Sequence, residues 1–420
     1  MKSTCPVFVI VVLAINGLGA ERFRTDINPA LRYYQAFAAT AHVGEGDRNY
    51  LFTTEWRGHH LDARFGNLVS NYDGAFKLMR QAGLAEVPCD WGIDVSEGPM
   101  AILPGLAPAK NVAQIARLRA LWHLQNGQQA EARDDLLTGF TLARNVAKDG
   151  VLISALVQLA MENIIFSSVA ENFSQFSPEI LQQIIQGLQT APARTTIAQC
   201  IALEKTSFYG WFLRKIDDLK KENSGSEEKT LEGIRALLDI FSGSGEEGGP
   251  LHRDLADRVI TAAGGTSDGV IKLANELKPM YQRVLDILVL PYGEFGPQIK
   301  AFDAEVEKSP NPLVPEFFRL FDKCRQKEFA SQVLLAMVKA AAEYRIHGEE
   351  GFNTVMDPCG NGPFGMKRVA LDGVDRGFEL KSRFTGRGFD EVLIFVEKGG
   401  PPFQLNGKNA GQAVPLSANK

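Results

Sequence analysis

The chain has 420 residues, of which 45% are hydrophobic and 23% are charged, so it contains enough apolar material for a packed core. That core would belong to one large domain or to two modest ones. The formal net charge of −5 argues against a nucleic-acid-binding protein, which needs a basic face, and against attachment by charge to an acidic membrane surface.

The first residues have the layout of a secretory signal peptide. Lys2 is followed by an apolar run at residues 6–15, by small residues up to Ala20, and then by the charged residue Glu21. Cleavage is expected after Ala20, with cleavage after Gly19 as the alternative. An uncleaved membrane anchor is the other interpretation, but the apolar run is shorter than the roughly 20 residues that span a bilayer.

No later segment of the sequence is expected to be long and apolar enough to cross a membrane. We therefore expect an exported protein, periplasmic or extracellular, that has no stable membrane insertion once the signal peptide has been removed.

Export changes the interpretation of the cysteines. Removal of residues 1–20 removes Cys5 and leaves Cys89, Cys200, Cys324 and Cys359. An even count in an oxidising compartment predicts up to two disulfides, although spacing cannot choose among the three pairings. Four buried thiols are the alternative. The sequence has no Cys-x-x-Cys pair, so we expect no structural zinc and no other metal site.

An irregular segment, CDWGIDVSEGPM, occupies residues 89–100 and precedes a helical pattern. Its distinctive positions, with those that follow, are Cys89, Asp90, Trp91, Gly92, Asp94, Gly98, Pro99, Leu103, Pro104, Arg117, Leu118 and Arg119. The pattern resembles one in an uncharacterised family of exported helical proteins from planctomycete and verrucomicrobial type bacteria. The resemblance covers residues 88–165, and it implies an exported helical protein without implying an activity.

The same segment carries the candidate ligand-binding site. Two carboxylates lie beside an aromatic ring, and arginines follow on the next helices. Arginine grips anionic ligands through its planar fork, so this combination is able to form a polar site. The simpler alternative is that the carboxylates bond local backbone amides, or pair with the arginines, and so fasten the loop. The candidate residues are Asp90, Trp91, Asp94, Arg117, Arg119 and Arg144.

Residues 108–149 predict two antiparallel helices, because apolar residues recur at helical spacing on both sides of a short turn. Gly127 is able to adopt a positive φ and end the first helix. Small Ala130 and Ala132 would let the two backbones approach. The pair resembles a tetratricopeptide (TPR) type hairpin, but no further copy occurs at a fixed period, so no solenoid is expected.

Further helices are predicted up to about residue 347. The stretch at residues 151–173 is apolar on nearly every side, which is typical of a central buried helix. Residues 222–250 place a short amphipathic helix between flanks rich in Gly, Ser and Glu, which predicts a flexible insertion. We interpret it as a surface insertion docked by one apolar face, with a mobile lid or partner-binding helix as the alternative. The expected face is Leu231, Ile234, Leu238 and Phe241.

The end of the chain changes to turns and strands. An Asp-Pro pair at residues 357–358 and the glycines after it predict turns, and residues 377–384 and 390–398 read as strands. A sheet this small has to dock on another element, and the last helix is the expected partner. The face expected to lie on that helix is Phe378, Leu380, Val392, Ile394 and Val396.

This C-terminal element resembles the corresponding part of a type II secretion pseudopilin. The matching helix end is Tyr344, Arg345 and Gly348, and the matching turn residues are Asp357, Pro358, Gly360, Pro363 and Phe364. The sequence shows no prepilin leader with its transmembrane helix and no counterpart of the acidic calcium loop. We therefore expect neither a pilus subunit nor a metal site, and we interpret the element as a reused packing motif.

Together these patterns predict a mainly α fold, a multi-helix bundle with TPR-like hairpins and a small C-terminal antiparallel β element. The expected organisation begins with a signal peptide at 1–20 and a helical domain at 21–350, which contains the insertion at 222–250. The β element at 351–400 docks on the last helix, and a flexible tail occupies 401–420.

Two functions are compatible with the sequence. The first is a non-catalytic exported scaffold or binding protein, without cofactor, for an unknown protein, peptide or cell-envelope component. The alternative is a hydrolase-like enzyme with a site between the 89–97 loop and the 110–145 helical hairpin. The recognisable pieces are packing devices, and the stretch AAGGTSDG at 262–269 is interpreted as a connector, because it lacks the Gly-Lys-Ser/Thr ending of a P-loop. The first function is therefore favoured.

Overall fold

The fold is mainly helical, with a three-stranded antiparallel sheet at its C-terminal end, as predicted. The computed structural model describes residues 23–40, 44–53, 56, 59–223, 225–241, 253–371, 374–386 and 389–398. The predicted signal peptide and the predicted tail lie outside the described residues, so both stay predictions.

The described elements follow one another in chain order, beginning with the helices. They are α1 (Pro29–Ala38), α2 (Glu45–Thr53), α3 (Ala63–Ser70), α4 (Asp73–Gly83), α5 (Leu106–Gln125), α6 (Gln129–Val146), α7 (Leu152–Glu171), α8 (Pro178–Thr190), α9 (Ile197–Glu222), α10 (Glu227–Phe241), α11 (Arg253–Ala262), α12 (Ser267–Asn275), α13 (Leu277–Leu288), α14 (Tyr292–Lys308), α15 (Leu313–Phe318) and α16 (Phe321–Phe352). The strands are β1 (Gly365–Leu371), β2 (Val374–Gly386) and β3 (Phe389–Val396). Short 3-10 turns occupy Val95–Met100 and Phe173–Gln175.

The predicted helical hairpin is present as α5 and α6. The turn between them contains Gly127 with a φ of +73°, a conformation that glycine adopts without steric cost. Ala132 is fully buried where the two helices meet, whereas Ala130 is exposed and does not take part in their close approach. Whether the hairpin is related to TPR units stays a prediction.

Helix α7 is the centre of the bundle, because it packs against α5, α6, α9, α16 and strand β3. By length and composition it is able to cross a bilayer, which differs from the expectation that no later segment would be. However, 56% of its apolar stretch is buried inside the fold. This helix is therefore also the central buried helix that the sequence predicted.

A buried carboxylate joins three segments to α7. The side chain of Glu162 is fully buried, and its Oε1 lies 2.9 Å from Nε of Arg144 on α6. Arg194, in the connection before α9, pairs with the other oxygen, which also accepts a 2.7 Å hydrogen bond from Oγ of Ser331 on α16. Burial lowers the pKa of Arg144 to about 10, so the guanidinium remains charged at neutral pH.

The helix inside the predicted insertion is part of the packed body. Helix α10 contacts α9, α11 and α12, and it buries Ile234 and Leu238 of its apolar face. Glu227 at its first turn accepts hydrogen bonds from the backbone amide and the hydroxyl of Ser267, at the start of α12. Residues 224 and 242–250, which belong to the predicted flanks, lie outside the described residues.

The sheet has the strand order β1-β2-β3 and lies on α7 and α16. Phe378 on β2 pairs with Phe395 on β3, and their rings stack at a centroid distance of 5.3 Å. Both rings meet Phe173, which follows α7, and Phe378 also meets Tyr344 of α16 at 5.3 Å. The sheet is therefore docked on the last helix, as expected, and on the central helix as well.

The prediction of which β3 residues face the helices is wrong, because the predicted set is shifted by one position along the strand. Leu393 and Phe395 share the face of Phe378, because directly paired residues in an antiparallel ladder point to the same side. Ile394 pairs with Glu379 and therefore points to the other face, together with Val392 and Val396. Residues 392–396 are apolar at every position, so alternation alone cannot indicate which face is the inner one.

The turn before the sheet is fastened by a single buried carboxylate. Asp357 is 2% exposed, and its oxygens accept hydrogen bonds from the Ser382 hydroxyl at 2.8 and 2.9 Å. They also accept from the backbone amides of Cys359 at 2.9 Å and Arg383 at 2.7 Å. The Asp-Pro turn is thus bonded to the middle of β2.

Asp357→Ala should destabilise the protein by about 2–4 kcal/mol, because it leaves buried backbone donors without acceptors. Urea unfolding of the purified protein measures this free energy. Asp286→Ala is the matched control, since that carboxylate is exposed on α13 and accepts one bond from Gln282 on the same helix. Equal effects of the two substitutions would contradict the role given to Asp357.

Candidate functional site

The two aspartates of the predicted site bond their own turns. Oδ1 of Asp90 accepts a 2.9 Å hydrogen bond from the backbone amide of Gly92, and Oδ1 of Asp94 accepts one of 2.9 Å from Ser96. Hydrogen bonds from the Ser96 side chain and amide lower the pKa of Asp94. Both carboxylates are exposed, so they shape the loop by bonding local amides, which is the simpler of the two predicted roles.

Trp91 is a core residue. Its side chain is 6% exposed and stacks between Tyr33 and Phe37, with ring centroids 5.7 and 6.3 Å away. The indole Nε1 donates a 2.7 Å hydrogen bond to the carbonyl of Asn145 at the end of α6. Because both the ring faces and the polar atom are used, Trp91 anchors the loop to α1 and α6.

The three arginines of the predicted site lie in three different environments. Arg119 is buried, where it pairs with Asp135 at 2.8 Å and lies over the ring of Phe76 at 4.5 Å. Arg144 belongs to the Glu162 network described above, and Arg117 pairs with Glu171 at 3.2 Å. The structure therefore does not bring the six predicted residues together into one site.

All four cysteines of the predicted mature chain lie within the described residues, and no disulfide joins them to one another in the structure. Cys200 and Cys324 are buried, and Cys89 and Cys359 are partly buried. Burial raises the pKa of Cys89 to about 12 and that of Cys324 to about 11, and it also raises the pKa of Cys200. Thiols with such pKa values are protonated at neutral pH and are poor nucleophiles.

A pocket that the sequence did not indicate lies under residues 95–103, which we call the cover segment. The pocket has a volume of about 360 Å³, and its other walls are the start of α7 and the middle of α9. The lining residues are Val95, Gly98, Pro99, Ala101, Leu103, Val151, Leu152, Ile153, Leu156, Leu203, Glu204, Ser207 and Phe208. We call it the apolar pocket.

The cover segment reaches α9 because of a glycine. Gly98 has a φ of +59°, and ring atoms of Trp211 lie 2.6 Å from the position that a Cβ would occupy. Both the backbone conformation and the contact exclude a larger residue. Gly98 therefore lets the segment lie directly on the indole and close one side of the pocket.

Glu204 is the one acidic side chain among the described lining residues of the apolar pocket. Burial raises its pKa to about 7, although a hydrogen bond from the backbone amide of Leu152 lowers it in part. Leu152 is the first residue of α7, so the carboxyl lies at a helix N-terminus, where negative charge is favoured. Near neutral pH the group is present in both its neutral and its ionised form.

This arrangement is able to bind an apolar molecule and to exchange a hydrogen bond or a proton with it. The walls are mostly apolar, while the carboxyl accepts a hydrogen bond in either form and donates one when it is neutral. A carboxyl with a pKa near 7 in a cleft is a recognised mark of a functional site. Ser207 adds a hydroxyl, which donates a 3.0 Å hydrogen bond to the carbonyl of Leu203.

Sequence patterns gave little indication of this site. The cover segment is distinctive, and Gly98 and Pro99 belong to the pattern that carries the family resemblance. Glu204, however, lies within an amphipathic helix, where a charged residue ordinarily faces solvent. The pocket is formed by three segments separated by about 50 residues each. Helical periodicity is a local pattern, so it does not indicate that segments so far apart in sequence lie together in the fold.

The connector at 262–269 also contains a Gly-x-Ser-x-Gly pattern, at residues 265–269, which the sequence interpretation missed. In a nucleophile elbow this pattern joins a strand to a helix. Here it joins α11 to α12, Thr266 caps α12, and the Ser267 hydroxyl donates to Glu227. The serine is 1% exposed, so it does not form an elbow.

Comparisons of the chain with protein-family models, with curated proteins and with solved structures found no match. The two family resemblances inferred from the sequence therefore stay predictions. In the described part of the chain, no group of three or more His, Cys, Asp or Glu side chains is placed to hold a metal ion. The function is consequently inferred from the geometry of the pockets.

Glu204→Gln should remove a loss of stability that the unmodified protein shows between about pH 4.5 and pH 7. Because the pKa is raised in the folded state to about 7, the folded protein retains a proton that the unfolded chain has released. The stabilisation is complete below the unfolded pKa and is lost as the pH rises through about 7. The free energy of unfolding that is lost between about pH 4.5 and pH 7 is at most about 3 kcal/mol.

Urea unfolding at several pH values between 4 and 8 checks this expectation. The exposed substitution Glu232→Gln on α10 is the control, and it should leave the slope of stability against pH unchanged. A slope that survives in Glu204→Gln would show that another group causes it.

Proposed function

We propose that the protein is an exported, non-catalytic binding protein whose apolar pocket takes a small, mostly apolar molecule that carries one hydrogen-bond donor. The observation that supports this most directly is the apolar pocket itself, in which hydrophobic walls surround the Glu204 carboxyl. Ligand pockets are commonly of this kind, with predominantly apolar linings and a few polar groups that fix orientation.

The size of the pocket supports a small ligand. A volume of about 360 Å³ lies within the roughly 300–1,000 Å³ range of small-molecule sites. The apolar lining provides affinity by removing hydrophobic surface from water. Glu204 provides selectivity, because a ligand without a donor would deprive the partly buried carboxyl of hydrogen bonds that water gives it. An apolar end of a cell-envelope component that carries an amide or hydroxyl group meets these requirements.

Export is part of the proposal and is supported by the sequence of residues 1–20. Intact-mass measurement of the protein secreted by an export-competent host should give a chain that begins at Glu21, or at Ala20 if cleavage follows Gly19. Retention of residues 1–19 in protein recovered outside the cytoplasm would contradict this part of the proposal.

A hydrolase-like enzyme is the alternative function, and the pKa of Glu204 is the observation that favours it. A carboxylate with a pKa of about 7 is suited to act as a general base. Its site would then be the apolar pocket, not the space between the 89–97 loop and the hairpin. Against it, the described residues that line the pocket include no histidine and no cysteine, and the Ser207 hydroxyl donates to a backbone carbonyl.

The uncharged fluorescent amine N-phenyl-1-naphthylamine should bind the apolar pocket in a one-to-one ratio. Its rings are apolar, and its single N–H is able to donate to Glu204, so we expect a Kd in the micromolar range. A fluorescence titration of the mature protein measures it. Ala101→Phe places an aromatic ring in the pocket and should weaken binding by about tenfold or more.

The matched control is Ala262→Phe, which adds the same ring at an exposed position on α11 and should leave binding unchanged. Equal binding by both variants would place the probe elsewhere and overturn the proposed site.

A broad screen with ester, amide and glycoside substrates tests the alternative function, a hydrolase-like enzyme. Turnover by the unmodified protein that Glu204→Gln reduces by more than about 100-fold would replace the binding function by the enzymatic one.

A further inference from the structure

A second pocket, with a polar wall, lies between α2 and α5. It has a volume of about 410 Å³ and shares no lining residue with the apolar pocket. Its lining residues are Arg48, Leu51, Phe52, Trp56, Asn111, Gln114, Arg117 and Leu118. We call it the arginine pocket.

One wall of the arginine pocket is a polar stripe on α5. Asn111, Gln114 and Arg117 recur every three residues, so they lie above one another on a single face of the helix. The residues between them on α5 are buried in the bundle, which leaves this stripe as the side that faces outwards. The stripe therefore presents two carboxamides and a guanidinium to the same space.

The opposite wall comes from α2 and the residues just after it. Arg48 contributes an exposed guanidinium, and Phe52 contributes a ring that is 38% exposed. Trp56 is held in place, since its Nε1 donates a 3.1 Å hydrogen bond to the carbonyl of Leu51 and its ring meets Phe65 at 4.9 Å. Aromatic surface thus lies beside the two cations.

Arg48 gives the arginine pocket a net positive charge on a chain whose net charge is negative, while the charge of Arg117 is offset by Glu171. Both guanidiniums belong to its lining, and none of its described lining side chains is acidic. Arg117 is held by the 3.2 Å ion pair with Glu171, which is itself buried on α7. A cleft lined by one sign of charge concentrates ligands of the opposite sign.

The combination of groups identifies the class of ligand. Guanidiniums bind carboxylates, and carboxamides both donate to and accept from hydroxyl groups. Aromatic rings cover apolar C–H surface. A phosphate or sulfate ion would use the guanidiniums, but it has no apolar C–H surface for Phe52 and does not carry a row of hydroxyls that could reach both Asn111 and Gln114. We propose that the arginine pocket binds an acidic sugar, a ring that carries one carboxylate and several hydroxyls.

Isothermal titration of the mature protein with glucuronate, glucose and inorganic phosphate at low ionic strength tests the proposal. Glucuronate should bind at least about tenfold more tightly than either of the other two, because only glucuronate combines a carboxylate with several hydroxyls and an apolar C–H surface. Its affinity should fall as salt is added. Glucose or phosphate binding as tightly as glucuronate would overturn the proposal, as would the absence of glucuronate binding.

Two variants assign the binding to this pocket. Arg48→Gln should weaken glucuronate binding by about tenfold, and Arg48 is exposed, so the folded state should be kept, as circular dichroism can verify. Arg319→Gln, at an exposed position after α15, is the matched control and should bind normally. Gln114→Ala should weaken glucuronate binding while leaving any phosphate binding unchanged. Equal affinities of Arg48→Gln and Arg319→Gln for glucuronate would overturn the site.

Discussion

The structure depends on the full burial of one carboxylate in its central helix. Glu162 has no access to solvent, and an ionised group in that position is tolerated only when charged partners surround it. Its partners are Arg144 on α6 and Arg194 before α9, with Ser331 on α16. Removal of Glu162 would leave the guanidiniums of Arg144 and Arg194 close together without a counter-charge, so the carboxylate holds these segments in fixed positions around α7.

The same constraint positions the apolar pocket. Gln158, one turn before Glu162, exchanges two hydrogen bonds with the backbone of Thr195, at 3.2 and 3.3 Å. These bonds fix the position of the chain just before α9 begins. As a result, Glu204 on α9 lies beside the first residue of α7. The packing of the core and the chemistry of the pocket therefore have a common origin, although the pocket itself contains none of the buried ion pairs.

Much of the architecture could be predicted from the sequence, because periodicity reports local structure well. The α5–α6 hairpin, the central helix and the Asp357 turn all follow from patterns contained within a few dozen residues. The face of β3 could not be predicted, since Ile394 and Phe395 are equally apolar and only the partner strand distinguishes them. The candidate site failed for a related reason. The predicted arginines pair with carboxylates that are distant in sequence, whereas the predicted aspartates bond amides of their own turns. The carboxyl that lines the apolar pocket has the sequence pattern of an ordinary surface charge.

The position of α7 in the chain has a consequence for biogenesis. This helix is apolar enough to enter a bilayer, and two of the elements that cover it, α16 and strand β3, lie at the far end of the described chain. During synthesis the chain emerges from its N-terminus, so α7 is complete about 180 residues before α16 is complete. For that interval one side of a membrane-compatible segment has no cover from its own chain. The proposed export would therefore require that a holding chaperone shield this segment, or that the segment pass through the translocation channel before it can enter the lipid.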